Sequence, residues 1–310
     1  MKRLLPPLCL LVSALTGVAQ ELTLGHQANF STAYAVEKPI PVFDNGYLIT
    51  QESVAPIITL FDRNGTSGPR LTLSLPDDST IHPTSYAVTA KGEPLISGFA
   101  GVSYFIAKGD PQTGKLSDPI RTDQFMSTQI CEDGEGNIWS IGNQRDPKER
   151  TYDQLRQYSF DKGMLRSLLS TKELSVSPRS RSTYLRCAGK TIGVYSGSSA
   201  EWFVVEASSG DLKRYKVDLP SLGGLKFSGF ALIDKTAYAG LTDDPMGDHP
   251  TIYSLAKLDC NNDKKTCKWL VIEGTAHNSK EPGPYRLLGA DKDELVYSVG
   301  HFDFQWAKPQ

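Results

Sequence analysis

Asp133-Gly134-Glu135-Gly136-Asn137-Ile138-Trp139-Ser140-Ile141-Gly142 is a polar turn followed by a short apolar run that ends on glycine. Aspartate, asparagine and glycine tolerate the backbone of tight turns, while isoleucine and tryptophan suit a pleated, half-buried surface. The stretch therefore predicts a turn that delivers the chain into a strand. Turns of the same kind recur at Asp44-Asn45-Gly46, Lys91-Gly92-Glu93, Gly189-Lys190, Asp234-Lys235 and Asp291-Lys292-Asp293. They lead into Gly46-Tyr47-Leu48-Ile49-Thr50, Leu95-Ile96-Ser97-Gly98, Val194-Tyr195-Ser196-Gly197, Ala237-Tyr238-Ala239-Gly240 and Leu295-Val296-Tyr297-Ser298-Val299-Gly300.

A second half repeats with the first. Alternating runs Ile57 to Phe61, Tyr104 to Ala107, Leu155 to Phe160, Trp202 to Glu206 and Ile252 to Leu258 are each followed by a turn and another strand. Asp62-Arg63-Asn64-Gly65, Asp161-Lys162-Gly163 and Ser208-Ser209-Gly210-Asp211 carry hairpin chemistry. Each unit is thus four antiparallel strands, and the recurring glycines are spaced by roughly 43 to 60 residues, at or above the usual length of a propeller blade. The expectation is an all-β, six-bladed β-propeller. Seven units would fit if Leu165 to Ser182 holds a degenerate one, and an irregular β-sandwich is the competing architecture. After Gly300 there is chain for a third strand, Phe302 to Trp306, but not a fourth, whereas Glu21-Leu22-Thr23-Leu24 is strand-like and precedes the first unit. An N-terminal strand that completes the last blade would close the ring and remove its open edges.

The 310 residues contain 27 Gly and 19 Pro spread along the chain, which disfavours long helices. A net charge of -2 with no basic run argues against nucleic acid as a partner. Lys2 and Arg3, the apolar stretch Leu4 to Ala14 and the small residues Gly17-Val18-Ala19 read as an export signal over 1–19, leaving 20–310 as one propeller domain. The apolar stretch is broken by Pro6 and Pro7 and falls short of the roughly 20 residues that span a bilayer. The mature chain is expected to be periplasmic or extracellular, without a membrane span, and monomeric. Four cysteines remain after the signal. Cys260 and Cys267 flank a polar turn between strand-like runs and are expected to be bonded across a hairpin. Cys131 and Cys187 are read as buried thiols, with a bridge between neighbouring blades as the alternative.

The Asp133-to-Trp139 turn resembles the D-x-x-G-N-hydrophobic-W/Y turn of the NHL, TolB-like and SMP-30-like six-bladed propellers. The resemblance implies architecture rather than activity, since those families include binding proteins, scaffolds and metal-dependent hydrolases. Gly109-Asp110-Pro111-Gln112-Thr113-Gly114-Lys115 has phosphate-loop spacing, but Leu116 stands where a magnesium-binding hydroxyl belongs, so a hairpin turn is expected. The aromatics Trp139, Tyr195, Tyr238 and Tyr297 are read as core on the inner strands.

Chemistry is sought at the mouth of the channel where the longer, charged connections gather. Arg145 and Asp146 lie in one such connection; Asp243, Asp244, Asp248 and His249 lie in another; His301 and Asp303 open a third, with Arg179, Arg181 and His277 between blades. Oxygen and imidazole ligands from several blades could hold a divalent cation, although no cofactor is predicted. Two classes of function follow. The first is a non-enzymatic binding or scaffold propeller of the cell envelope that recognises a protein, peptide or glycan. The second is a metal-dependent hydrolase resembling the SMP-30-like lactonases.

Overall fold

The computed structural model describes residues 22–30, 42–51, 56–77, 79–117, 119–144, 153–170, 183–197, 199–219, 224–243, 252–272, 275, 277–278, 284–299 and 303–310. The expected export signal lies outside them. All regular structure in the described residues is strand apart from a single 3-10 position at Leu219, and no helix is long and apolar enough to cross a membrane. The first four-strand meander comprises β2 (Val42–Asp44), β3 (Tyr47–Gln51), β4 (Ile57–Phe61) and β5 (Ser67–Thr72). The next comprises β6 (Ile81–Val88), β7 (Pro94–Ala100), β8 (Ser103–Lys108) and β9 (Ile120–Arg121). Then follow β10 (Phe125–Glu132), β11 (Ile138–Gln144), β12 (Asp153–Ser159) and β13 (Gly163–Ser170). The fourth run is β14 (Thr183–Ala188), β15 (Thr191–Ser196), β16 (Glu201–Glu206) and β17 (Leu212–Asp218), and the fifth is β18 (Lys226–Ile233), β19 (Thr236–Thr242), β20 (Ile252–Asn261) and β21 (Thr266–Val271). After the two-residue β22 (His277–Asn278) come β23 (Pro284–Asp291), β24 (Glu294–Val299) and β25 (Asp303–Pro309), and β1 (Leu22–Asn29) pairs with β25 as the fourth strand.

That last pairing is the closure expected from the sequence. It runs antiparallel from Leu22 opposite Pro309 to Asn29 opposite Asp303. The repeat pattern predicts six separate sheets, whereas hydrogen bonding gives five. The outer strands of the fourth and fifth meanders pair in parallel, with Lys216, Val217 and Asp218 opposite Thr266, Cys267 and Lys268, and so fuse two units into one larger sheet. A smaller link of the same kind joins the first two meanders, where Leu116 N–H donates to Ser74 O at 2.9 Å. The chain from Gly109 to Ser117 is there a turn, with Asp110 Oδ1 accepting from Gln112 and Thr113 N–H, as the sequence indicates.

The recurring glycines have a steric cause. Ser127 faces Gly142, and the register then shifts so that Gln129 faces Ile141, a β-bulge in β10 opposite the glycine. A Cβ on Gly142 would lie 2.2 Å from Met126 O. The same arrangement recurs at Gly98, opposite the bulge in β6, where a Cβ would lie 2.6 Å from His82 O. The repeated strand itself is the second of each meander rather than the innermost, which moves Trp139, Tyr195, Tyr238 and Tyr297 one strand outward from their expected place. All four are buried between meanders, as core aromatics should be.

The apolar residues gather in layers between successive meanders. Cys131, Trp139, Ile141 and Leu155 meet Leu185, Ile192, Val194 and Phe203 between the third and fourth. Ala28, Phe30, Phe43, Leu48 and Phe61 meet Leu288, Val296, Phe304 and Trp306 where the last joins the first. Removing β1 would strip Ala28 from this layer, together with the His26 ring packed edge-on against Trp306 at 4.9 Å. Deletion of residues 20–28 is therefore expected to destabilise the chain by roughly 3–5 kcal/mol, the scale of losing a large core group and its hydrogen bonds. An unchanged midpoint in urea unfolding would count against closure by this strand.

Both cysteine pairs are bonded. Cys260 and Cys267 face each other across β20 and β21 with Cα atoms 4.1 Å apart, as expected. Cys131 and Cys187 also form a disulfide, Cα to Cα 5.7 Å, which corrects the reading as thiols. Each is the penultimate residue of an innermost strand, so the two occupy matching positions on adjacent meanders. The bridge spans 56 residues, and the loop-entropy relation makes it worth up to about 4 kcal/mol against about 2 kcal/mol for the hairpin bridge. Replacing Cys131 and Cys187 by Ser should lower the unfolding free energy by more than the same change at Cys260 and Cys267. Denaturant titration of the two double variants measures the order.

Candidate functional site: the channel and its loop-bearing mouth

The innermost strands β2, β6, β10, β14, β18 and β23 are the terminal strands of their sheet paths, so each has one edge without a β-ladder partner. Polar side chains reach across instead. Asn45 Nδ2 donates to Val88 O at 2.7 Å, and Val88 N–H donates to Asp44 Oδ2 at 3.2 Å. Thr84 Oγ1 donates to Ser127 O at 2.7 Å, and Glu132 Oε2 accepts from Ala90 N–H at 2.7 Å. Gln129 spans the next junction with both ends of its amide, donating to Thr183 O and accepting from Leu185 N–H. Arg186 Nε donates to Phe230 O at 3.1 Å. At the last two junctions backbones come close where side chains are missing. A Cβ on Gly229 would lie 1.8 Å from Leu287 O, and one on Gly289 2.4 Å from Phe43 O.

This ring brings charge into the channel. Burial pushes the Asp44 carboxyl up to about 6, with the Val88 N–H and the positive charge of Arg186 pulling the other way and the Glu132 carboxylate adding to the rise. Glu132 is held by Lys108 Nζ at 3.3 Å. Burial lowers the Arg186 pKa, opposed by Asp44, and raises the Tyr184 phenol to about 12 against the pull of Arg186 and Arg286. Tyr86 is raised by burial alone, and its hydroxyl has no hydrogen-bond partner among the described residues. Asp44, Glu132 and Arg186 were not singled out in the sequence. Arg186 sits within Thr183-Tyr184-Leu185-Arg186-Cys187-Ala188, and a cation inside an inner strand was the available signal.

The residues chosen from sequence divide differently. Arg145, Asp146, Asp244, Asp248, His249 and His301, with Arg179 and Arg181, lie outside the described residues, and His277 is described only as part of β22. Asp243 follows β19 and accepts from Thr242 Oγ1 at 3.4 Å. Asp303 Oδ1 accepts from Asn29 Nδ2 at 2.7 Å, so this carboxylate helps to hold the closing strand. Among the described residues, no three His, Cys, Asp or Glu side chains are grouped so as to hold a metal ion.

Strand direction locates the mouth. The links from β11 to β12 and from β19 to β20 leave from the ends of the strands where successive meanders connect, the end opposite the tight turns Asn45-Gly46, Gly189-Lys190 and Asp234-Lys235. The Asp44 and Glu132 carboxylates lie at the tight-turn end, since each is the final residue of its inner strand.

No family model matches the chain, and no curated protein matches it. Among solved structures, a candidate exported protein from Bacteroides fragilis NCTC 9343 superposes with a TM-score of 0.57 at 8% identity, covering 94% of this chain and 96% of that one. Hydrazine synthase from Kuenenia stuttgartiensis gives 0.50 at 11% identity over 86% and 74%. Virginiamycin B lyase from Staphylococcus aureus gives 0.47 at 13% identity over 93% and 99%. At such identities the likeness concerns fold, and the fold is that of a β-propeller.

Asp44 provides a check on the channel. With a folded-state pKa near 6 against an ordinary 3.8, the native state holds its proton more tightly than the unfolded chain. Ionised Asp44 therefore costs stability, absent below about pH 4 and fully present above about pH 6. Because the residue keeps some solvent contact, the cost is on the order of 1 kcal/mol. Asp44→Asn should raise the melting temperature at about pH 7.5, with the gain gone at about pH 4. A gain independent of pH would show that Asp44 is not the group responsible.

Proposed function

We propose that this chain is an exported six-bladed propeller of the cell envelope, periplasmic or extracellular, that acts by binding a protein, peptide or glycan at its loop-bearing mouth rather than by catalysis. The observation that carries the reading is the asymmetry of the connections. Eight residues, 145–152, separate β11 from β12, twelve, 171–182, separate β13 from β14, and nine, 243–251, separate β19 from β20, whereas connections of two to five residues close the other end, apart from the eleven between β8 and β9. Connecting loops on a rigid scaffold are where recognition is placed, since they vary without disturbing the ladders. The six meanders, each packed on the next through an apolar layer, support the blade count. Two disulfides support an oxidising compartment, where small thiol-reducing systems do not break them.

Arg145, Asp146, Asp243, Asp244, Asp248, His249, His301 and Asp303 are the residues proposed to rim this mouth. A photo-crosslinking side chain placed at Asp146 or at Asp244 should capture the same envelope component, while one at Lys162, in the tight turn between β12 and β13, should capture nothing. Capture from Lys162 alone would move the function to the other face. The carboxylate-rich segment 243–249 sustains the hydrolase alternative, and calorimetry with calcium distinguishes it. Binding abolished by both Asp244→Ala and Asp248→Ala would make the mouth a cation site.

A further inference from the structure

Charge is sorted along the channel axis. The six inner strands carry three carboxylates, Asp44, Glu132 and Asp291, and each is the last residue of its strand, at the tight-turn end. Their three lysines and arginines, Arg186, Lys226 and Arg286, all come earlier, towards the mouth. Strand pairing sets the heights. Asp44, Glu132 and Asp291 stand opposite the first residue of the following strand, Tyr47, Ile138 and Glu294. Arg186 stands opposite the third, Gly193, whereas Tyr184 and Arg286 stand opposite the fifth, Tyr195 and Ser298. Tyr184 and Arg286 are thus level with each other on β14 and β23, and Arg186 lies two residues below Tyr184 on the same face of β14.

The carboxylates have charged or donor partners and the cations do not. Asp44 accepts from Val88 N–H, Glu132 from Ala90 N–H and Lys108 Nζ, and Asp291 from Trp306 Nε1 at 3.2 Å beside Arg63 Nη1. Arg186 gives its Nε to Phe230 O and its Nη1 to Leu185 O at 2.8 Å, and these neutral carbonyls hold the guanidinium at the inner edge of β18. Among the described residues, none of Arg186, Lys226 and Arg286 forms an ion pair. Arg186 and Arg286 are half-buried, while Lys226 is exposed. The two guanidiniums face a common space. β18 separates β14 from β23 in the ring, yet both charges act on the Tyr184 phenol, and Arg186 also acts on Asp44 from the opposite side. Stacking on Phe230, ring centroids 5.2 Å apart, fixes Tyr184 in this position.

We propose that the mouth half of the channel is an anion site, and that the ligand taken at the mouth presents a carboxylate to Arg186, Arg286 and the Tyr184 hydroxyl. The inference rests on the mouth as the binding face and names the chemistry of what enters it. A guanidinium withdrawn from bulk water and bonded only to neutral carbonyls has its positive charge unanswered, and the two oxygens of a carboxylate match its planar edge. Arg186 Nη2 and the Arg286 guanidinium have no partner among the described residues, and the phenol adds a neutral donor. Lys108 and Arg63 offset Glu132 and Asp291, so two guanidiniums stand against Asp44 alone. The excess is about one positive charge, which a single carboxylate neutralises and a phosphate dianion exceeds.

Saturation-transfer NMR on the full mature protein in about 150 mM salt, where long-range attraction is screened, tests this with N-acetylglycine and its neutral amide, N-acetylglycinamide. N-acetylglycine should bind saturably with a Kd of about 5 mM or lower, and the amide about tenfold more weakly. Inorganic phosphate should compete for the site less well than acetate. Arg286→Gln, which breaks no contact among the described residues, should weaken N-acetylglycine about tenfold with the melting temperature unchanged. Asp44→Asn should strengthen it about threefold, a gain that misfolding cannot produce. Silence up to about 20 mM, equal binding of the amide, indifference to Arg286→Gln, or stronger competition by phosphate each overturns the proposal. Partner capture at Asp146 or Asp244 without binding of N-acetylglycine overturns it and leaves the mouth as binding face. Binding of N-acetylglycine without capture upholds the anion site and removes the partner.

Discussion

A ring of meanders has an unsolved problem at its centre. The inner strands converge there, each with one edge of N–H and C=O groups and no neighbour lying alongside to ladder with. An unpaired polar group away from water costs on the order of 1–3 kcal/mol, so these edges must be answered individually. Side chains do this at the first four junctions, from Asn45 and Asp44 to Arg186, and backbone approach permitted by Gly229 and Gly289 takes over at the last two. The apolar layers between meanders supply the driving force, but these contacts fix the angle at which one meander meets the next.

The same requirement explains the charges in the channel. Glu132 serves the Ala90 amide, and Arg186 serves the Phe230 carbonyl and is thereby held in a place where burial acts on its charge. Asp44, facing both, settles at a protonation balance far from that of a free carboxylate. The polar interior is a consequence of closing the ring before it is a site of any chemistry.

Much of this was legible in the chain. Turn-plus-strand repeats such as Asp133 to Gly142 carry local information, because turn chemistry and alternation act over a few residues, and the tail too short for four strands gave the closure by β1. The fusion of β17 with β21 was not legible, since Lys216 to Asp218 and Thr266 to Lys268 carry no pattern that declares an edge partner fifty residues away. The Cys131–Cys187 bridge stood only as the alternative to buried thiols for a related reason: only the superposition of adjacent inner strands shows that the two occupy matching positions. At the site, the mouth was chosen from charged loops, whereas Asp44, Glu132 and Arg186 gain their place only from the junctions between inner strands, which no local pattern declares.

The pairing of β1 with β25 bears on how the molecule is made. Gln305 Nε2 reaches the His26 carbonyl from 279 residues away, so the final meander is assembled from strands far apart in the chain. β1 precedes every other described strand and its partner β25 follows them, and until β25 is made Leu22 to Asn29 presents an open backbone edge. The entropy of closing so long a loop rises only logarithmically with its length, so the earlier meanders can form one upon another while the gap persists. The nascent protein is then an open, curved stack, and the pairing of β25 with β1 turns it into a ring. Its most vulnerable interval to strand exchange with a neighbouring copy falls before β1 and β25 have paired.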